Sequence, residues 1–284
     1  MPAVFLKDRS LLFVSGAEAQ SFLQNLITTD IAALGADEAR PGALLTPQGK
    51  ILFDFMIWQD GEGYTIETDA GQRDGLLKRL TMYKLRAAVT LVPSTEEGVT
   101  VSWGEDAEGA RGSQGARDSR FAKAGVTLTR RAGRQGDGAE ALYDVLRIRH
   151  GIVTSGSDFA LQDAFPHDVL MDFNGGLSFR KGCYVGQEVV SRMQHRGTAR
   201  RRVVTVSAAT DLPGTGTEIT AAGKPVGTLG SVHGGNGLAI VRIDRAGAAM
   251  AAGTPLLAGD TPVSLVLPAW SGLVFPASAD EASA

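Results

Sequence analysis

The chain contains one cysteine, and that scarcity is its first constraint. A single thiol closes no intrachain disulfide and builds no four-cysteine metal site, and it fits a reducing compartment. Histidine is nearly as sparse. Of four, His150, His167 and His233 are scattered without metal-ligand spacing and read as structural or surface residues. No segment approaches the ~20 consecutive apolar residues that span a bilayer. The start, MPAVFLKDRSLLFVSG, has no basic stretch followed by an unbroken apolar run. These absences together predict a cytoplasmic protein with no membrane partner. Neither sign of charge dominates: the net charge is −3 and the sequence pI is near 5.8. No global field draws such a chain to nucleic acid, so any anion must be bound locally. Repeats with a period of roughly 20 to 50 residues are missing, as are sustained heptads.

What is present is enough for a full core. The chain has 284 residues, 43% hydrophobic and 21% charged, which predicts a globular protein of two or three lobes. VFLKDRSLLFV alternates as a strand, and Ser15 and Glu18 stand at capping-box spacing before the helical Phe22, Leu23, Leu26 and Ile27. ILFDFMIW alternates too, placing Asp54 on a face with Leu52, Met56 and Trp58. DGEG predicts a hairpin into YTIET, after which Leu76, Leu77, Leu80 and Tyr83 recur at helical spacing. The run from Gly104 to Arg120, glycine-rich, charged and nearly free of apolar residues, reads as an exposed mobile loop. ALYDVLRIRHGI reads as a helix. Beyond Arg200, short β-rich runs (VVTVSA, PVGTLGSV, LAIVRI, VSLVLP) alternate with turn residues, the pattern of a small antiparallel barrel. The expected division is 1–199 for an α+β region and 200–284 for the barrel.

Chemistry concentrates in Lys181-Gly182-Cys183-Tyr184-Val185-Gly186-Gln187-Glu188. Two glycines allow close backbone approach, and Val189, Val190 and Met193 predict a helix starting just past the cysteine. A helix N-terminus and the cations of Arg180 and Lys181 would favour the thiolate, the nucleophilic and metal-binding form. The bland alternative is a buried cysteine acting as a small hydrophobe. Asp54, a carboxylate among apolar neighbours, either pairs locally or accepts a ligand's amidine-like donor pair. Tyr184 could stack on a ring. So could Tyr83, although its helical spacing also suits the core. The basic run Arg192, His195, Arg196, Arg200, Arg201 and Arg202 reads either as a solvated hinge or as the holder of a carboxylate tail.

KGCYVGQE resembles the K-G-C-aromatic-x-G-Q-E signature of the YgfZ family. Seven specified residues coincide by chance on the order of once in 10⁸ positions at average residue frequencies. SGAEAQSFLQNLITTDI, ALLTPQGKILFDFMI and RLTMYKLRAAVTLV follow in the family's order. The family is related to the T-protein of the glycine cleavage system. The resemblance therefore implies an α+β, GcvT-like aminomethyltransferase fold: two interleaved lobes, a folate site between them and a C-terminal antiparallel β-barrel. It implies a folate-binding accessory protein for assembling or repairing iron–sulfur clusters, rather than an enzyme. On that reading Cys183 and Lys181 carry the chemistry. Tetrahydrofolate or a derivative is met by Asp54, Tyr83, Tyr184, Gln187, Glu188, Arg192 and Arg202. Cys183 is also a ligand to a transient cluster shared with an A-type carrier, and cluster-containing enzymes are the recipients. The rival is a tetrahydrofolate-dependent aminomethyltransferase using Asp54, but GKILFDF keeps one carboxylate where the T-protein has two adjacent. A third reading, RNA binding by the basic run, is opposed by the acidic pI and the lack of interleaved aromatics.

Overall fold

The computed structural model describes residues 2–104 and 115–276. The chain forms two compact units. One comprises Met1–Pro47, Ile51–Tyr143 and Asn174–Gln187; the other comprises Gln48–Lys50, Asp144–Phe173 and Glu188–Ala284. In chain order the elements are β1 (Ala3–Leu6), β2 (Arg9–Ser15), α1 (Ala19–Gln24), β3 (Glu38–Leu45), β4 (Ile51–Asp60), β5 (Gly63–Asp69), α2 (Ala70–Lys84), β6 (Thr90–Pro93) and β7 (Val99–Trp103). There follow β8 (Ala116–Asp118), α3 (Ser119–Lys123), β9 (Leu128–Ala132), α4 (Glu140–His150), α5 (Gln187–His195), β10 (Arg201–Ser207), β11 (Glu218–Ala221) and β12 (Lys224–His233). The chain continues through β13 (Asn236–Arg242), α6 (Ile243–Ala251), β14 (Leu256–Ala258) and β15 (Thr261–Val266).

The first unit is built on a nine-stranded mixed sheet in the order β1-β7-β9-β8-β3-β4-β5-β2-β6. The opening run is two strands, not one. The chain turns at Lys7-Asp8, so that β1 pairs with β7 at one end of the sheet while β2 lies between β5 and β6 at the other. The hairpin expected at DGEG is present, with Asp60 opposite Gly63. No capping box forms at α1, because Glu18 accepts the Ala88 N–H at 2.6 Å and caps nothing with its side chain. The core beneath the sheet holds Leu12, Leu23, Ile27, Leu44, Ile57, Ile66, Leu76 and Leu80, with Tyr83 packed against it.

Most of the expected 104–120 loop lies outside the described residues, but its end does not. Residues 116–118 are β8 and Ser119 opens α3. At that end Asp118 and Arg120 belong to a buried ionic network. Arg130, 2% exposed, donates to both oxygens of Glu67 and to Asp118, and Arg120 grips Asp118 with two further bonds. Arg9 also donates to Glu67, at 2.8 Å. Burial alone would raise Glu67, yet Arg130 and Arg9 hold it down to about 2.

In the second unit six strands close an antiparallel barrel in the order β10-β13-β12-β11-β14-β15. Closure comes from β15 pairing back onto β10, Ser264 opposite Ser207 and Val266 opposite Thr205. Val204, Val206, Ile219, Leu229, Val241 and Leu265 fill the interior. The β-rich runs of the sequence became β10, β12, β13 and β15; the shorter β11 and β14, and the helix α6, complete the unit.

Candidate functional site

Residues 181–186 of KGCYVGQE form a loop of the first unit that leads into α5 at Gln187, and their exposure alternates sharply. Lys181 and Tyr184 are buried, at 7% and 6% exposure, while Gly182 and Cys183 between them are exposed. The loop is docked before it reaches the cysteine. Ser178 donates its N–H to the Thr28 carbonyl at 3.0 Å, and its hydroxyl oxygen accepts the N–H groups of Arg180 and Lys181. The Tyr184 hydroxyl returns to the Ser178 carbonyl at 3.1 Å, tying the two ends of the tip together.

Lys181 completes the dock. Its ammonium donates to the carbonyls of Ile27 and Thr29 at 2.7 and 2.6 Å and stands 5.4 Å from the centre of the Tyr184 ring. Burial pushes it down to about 8, with Asp30 opposing that shift. The 27–29 turn is itself fixed: Thr28 accepts the Ala43 N–H through its hydroxyl, and Thr29 donates to the Pro41 carbonyl. The expectation that the Lys181 cation supports the thiol therefore meets a different geometry. Its charge is satisfied by two backbone carbonyls, because a buried ammonium must find acceptors.

Gly182 opens the tip, since a Cβ built there would meet nothing within 4 Å. Gly186, at φ +79°, adopts the left-handed conformation that turns the chain into α5, whose first residue is Gln187. The helix thus begins four residues past Cys183, and the Gln187 N–H is bonded to the Tyr184 carbonyl.

The other candidates are distributed through the two units. Asp54, half-buried on β4, accepts from Gln72 on α2 at 3.1 Å and donates its N–H to the same side chain. Tyr83 packs on the core as its helical spacing allowed. In the second unit, Glu188 and Arg192 form an exposed pair on α5 at 3.4 Å. Arg202 is 6% exposed and donates to both oxygens of Asp172 and to the His167 carbonyl. All three bonds come from Arg202 Nη1, and its Nε is buried without a hydrogen-bond partner. Burial raises Asp172 to about 6 even so, outweighing the guanidinium. Burial, helped by Arg202, lowers His167 to about 4. Arg201 likewise pairs with Asp163 at 3.1 Å and approaches Asp168.

Sequence reasoning missed the partners in each case. Gln72, Ser178, the 27–29 turn and the aspartates at 163, 168 and 172 hold the residues it singled out. One signal was available: four aspartates, at 158, 163, 168 and 172, precede the basic run within forty residues, so the arginines had acids to meet. Among the described residues no group of three or more His, Cys, Asp or Glu side chains is placed to hold a metal ion. No described helix is long and apolar enough to cross a membrane.

Comparison with known proteins agrees with this architecture. Residues 200–273 match the family described as CAF17, C-terminal beta-barrel domain. The human "Iron-sulfur cluster assembly factor IBA57, mitochondrial" is 32% identical over 274 residues, covering 83% of this chain and 76% of that protein. A homologue of that factor from Chaetomium globosum is 32% identical over 237 residues, covering 70% of this chain. The chain spans about half the length of such fungal relatives, 54% in this case. Among solved structures, the glycine cleavage system aminomethyltransferase T of Bartonella henselae superposes with a TM-score of 0.71, covering 94% of this chain and 85% of that one. At 16% identity it bears on the fold alone. The cytoplasmic expectation is overturned by the same relatives, which are named as mitochondrial. That expectation rested on the first residues and on one cysteine, and neither is a property that a folded core ties to a compartment. With a GcvT-like fold, a CAF17-type barrel and a human relative matched over three quarters of its length, the chain belongs to the IBA57 family of iron–sulfur cluster assembly factors.

Proposed function

We propose that this chain is an accessory factor in the assembly or repair of iron–sulfur clusters, and that Cys183 is where it meets a cluster, a sulfur species or a partner protein. The observation that carries the reading is the tip: an exposed Gly182-Cys183 pair held out between two buried anchors, Lys181 and Tyr184. An iron–sulfur cluster is usually held by four protein ligands. Among the described residues no group of three or more His, Cys, Asp or Glu side chains could hold a metal, so a cluster engaged at Cys183 is a substrate shared with a second protein. An A-type carrier would be such a donor, and cluster-containing enzymes the recipients. The names of the relatives support the assembly role, and KGCYVGQE supports a YgfZ-type member of the family.

A reduced folate, tetrahydrofolate or a derivative, belongs to the same proposal through Asp54. An ionised carboxylate offers about four acceptor positions, and Gln72 uses one, so Asp54 can still receive the paired donors of an aminopyrimidine edge. Bound there, the folate would supply reducing or one-carbon chemistry, and Asp54 would orient its ring. The engagement of Asp54 by Gln72 favours placing the reactive step at Cys183 over aminomethyl transfer at Asp54.

In a strain lacking this gene, the wild type is expected to restore the activities of cluster enzymes and Cys183→Ala to leave them low at equal protein level. Full rescue by Cys183→Ala would remove the thiol from the function. By calorimetry, tetrahydrofolate should bind more tightly than about 1 mM, with Asp54→Asn weakening it at least about tenfold. Unchanged affinity in that variant would take Asp54 out of the site.

A further inference from the structure

We propose that the outer wall of the barrel carries a binding site for a small organic anion, formed where α4 lies against β10 and β13. The cleft there has a volume of about 360 Å³, within the range of small-molecule sites. Its composition is one-sided. Val145 and Ile148 on α4 supply apolar lining, while Arg149 and His233 supply donors. Thr205 and Ser207, two apart on β10, face the same side of that strand, and Asn236 lies opposite Ser207 in register. No carboxylate lines the cleft.

Three features point to an anion with a compact apolar body. Arg149 is exposed at the cleft, and among the described residues no ion pair engages it, so its guanidinium fork can hold a carboxylate or phosphate. The Ser207 hydroxyl and the Asn236 amide can donate to the same oxygens, while the Thr205 hydroxyl is bonded to the Val266 carbonyl at 3.2 Å. Val145 remains 40% exposed, an apolar surface that a ligand's hydrocarbon portion would cover. None of the KGCYVGQE residues contributes to the cleft, so this inference and the proposed function fail independently.

The full-length protein should be titrated with 2-naphthoate, with 2-naphthyl phosphate and with the neutral 2-naphthamide, following binding by calorimetry. At least one anion is expected to saturate, with the amide bound at least about tenfold more weakly. Whichever anion binds better identifies the ligand as a carboxylic acid or a phosphate ester. Arg149→Gln, at an exposed position, should weaken the anion at least about tenfold, and Val145→Glu should do so by repulsion with thermal unfolding unchanged. No saturation by either anion up to about 10 mM overturns the proposal. So does equal affinity for the amide, or an anion affinity untouched by both substitutions.

Discussion

Lys181 shows how one side chain can hold another in place without touching it. Its ammonium bridges the Ile27 and Thr29 carbonyls, and those bonds pin the loop from which Cys183 projects. Replacing it with methionine keeps much of the volume but leaves two buried acceptors without donors. Lys181→Met is therefore expected to cost about 2 kcal/mol in urea unfolding. Its pH dependence separates this cause from simple packing loss. The folded value is near 8 against an ordinary 10.5, so between those limits the unfolded chain binds the extra proton. Wild-type stability should then gain as pH rises from about 8 to about 10, and the gain should vanish in Lys181→Met. The sequence made the exposed pair legible, because a cysteine set among glycines and next to two cations suits no inert core. It hid the anchors. A lysine in a motif reads as a reactive cation, and nothing local says that its acceptors are carbonyls some 150 residues earlier.

Among elements, β12 is the most instructive. Its pairing with β13 shifts between Leu229 and Val232, and Gly230 and Ser231 sit in that irregularity. Asp158 occupies the space made there: Oδ1 accepts the Ser231 N–H at 2.7 Å, Oδ2 accepts the Thr154 N–H at 2.7 Å, and Arg147 donates at 2.8 Å. A Cβ at Gly230 would lie 2.5 Å from Asp158 Oδ1, so only glycine fits. Arg147 then reaches the Ser231 hydroxyl at 2.6 Å and fastens α4 to the barrel. Asp158→Ala should lower the unfolding free energy by about 3 to 5 kcal/mol, read from denaturant midpoints, since it strips partners from a buried guanidinium and two amides. A loss below about 1 kcal/mol would mean the network is ornamental. The barrel's longer strands were readable from β-branched alternation. Two of the elements that escaped, β8 and α3, pair a buried ionic network with single apolar anchors, Ala116 and Phe121, which leaves no apolar period to find.

For the molecule as a whole, acid is the revealing variable. Glu67 sits near 2 when folded against an ordinary 4.5, so its contribution is complete above about 4.5 and drains away as pH falls toward 2. His167 and Asp172 act earlier and against each other. His167, lowered to about 4, removes stability as pH falls from about 6.5, whereas Asp172, raised to about 6, restores some over the same interval. The stability profile should accordingly be shallow from pH 6.5 to 4.5 and steep below. Glu67→Gln should lose about 3 to 5 kcal/mol at neutral pH, by leaving Arg130 underpaired, and should flatten the steep limb. A steep limb surviving in Glu67→Gln would assign acid unfolding to other carboxylates.

The ends of the nine-stranded sheet bear on how copies of the protein behave when crowded. The barrel closes on itself and offers no free strand, and at β1 the Ala3 carbonyl is taken by the Gly138 N–H, with Val4 bridged to Gly138. That leaves β6 as the sheet's other boundary, four residues long and finished by Pro93, which has no N–H to lend. Among the described residues strand templating has almost nowhere to begin, so aggregation in concentrated solution should require prior unfolding and should follow the acid profile rather than protein concentration alone.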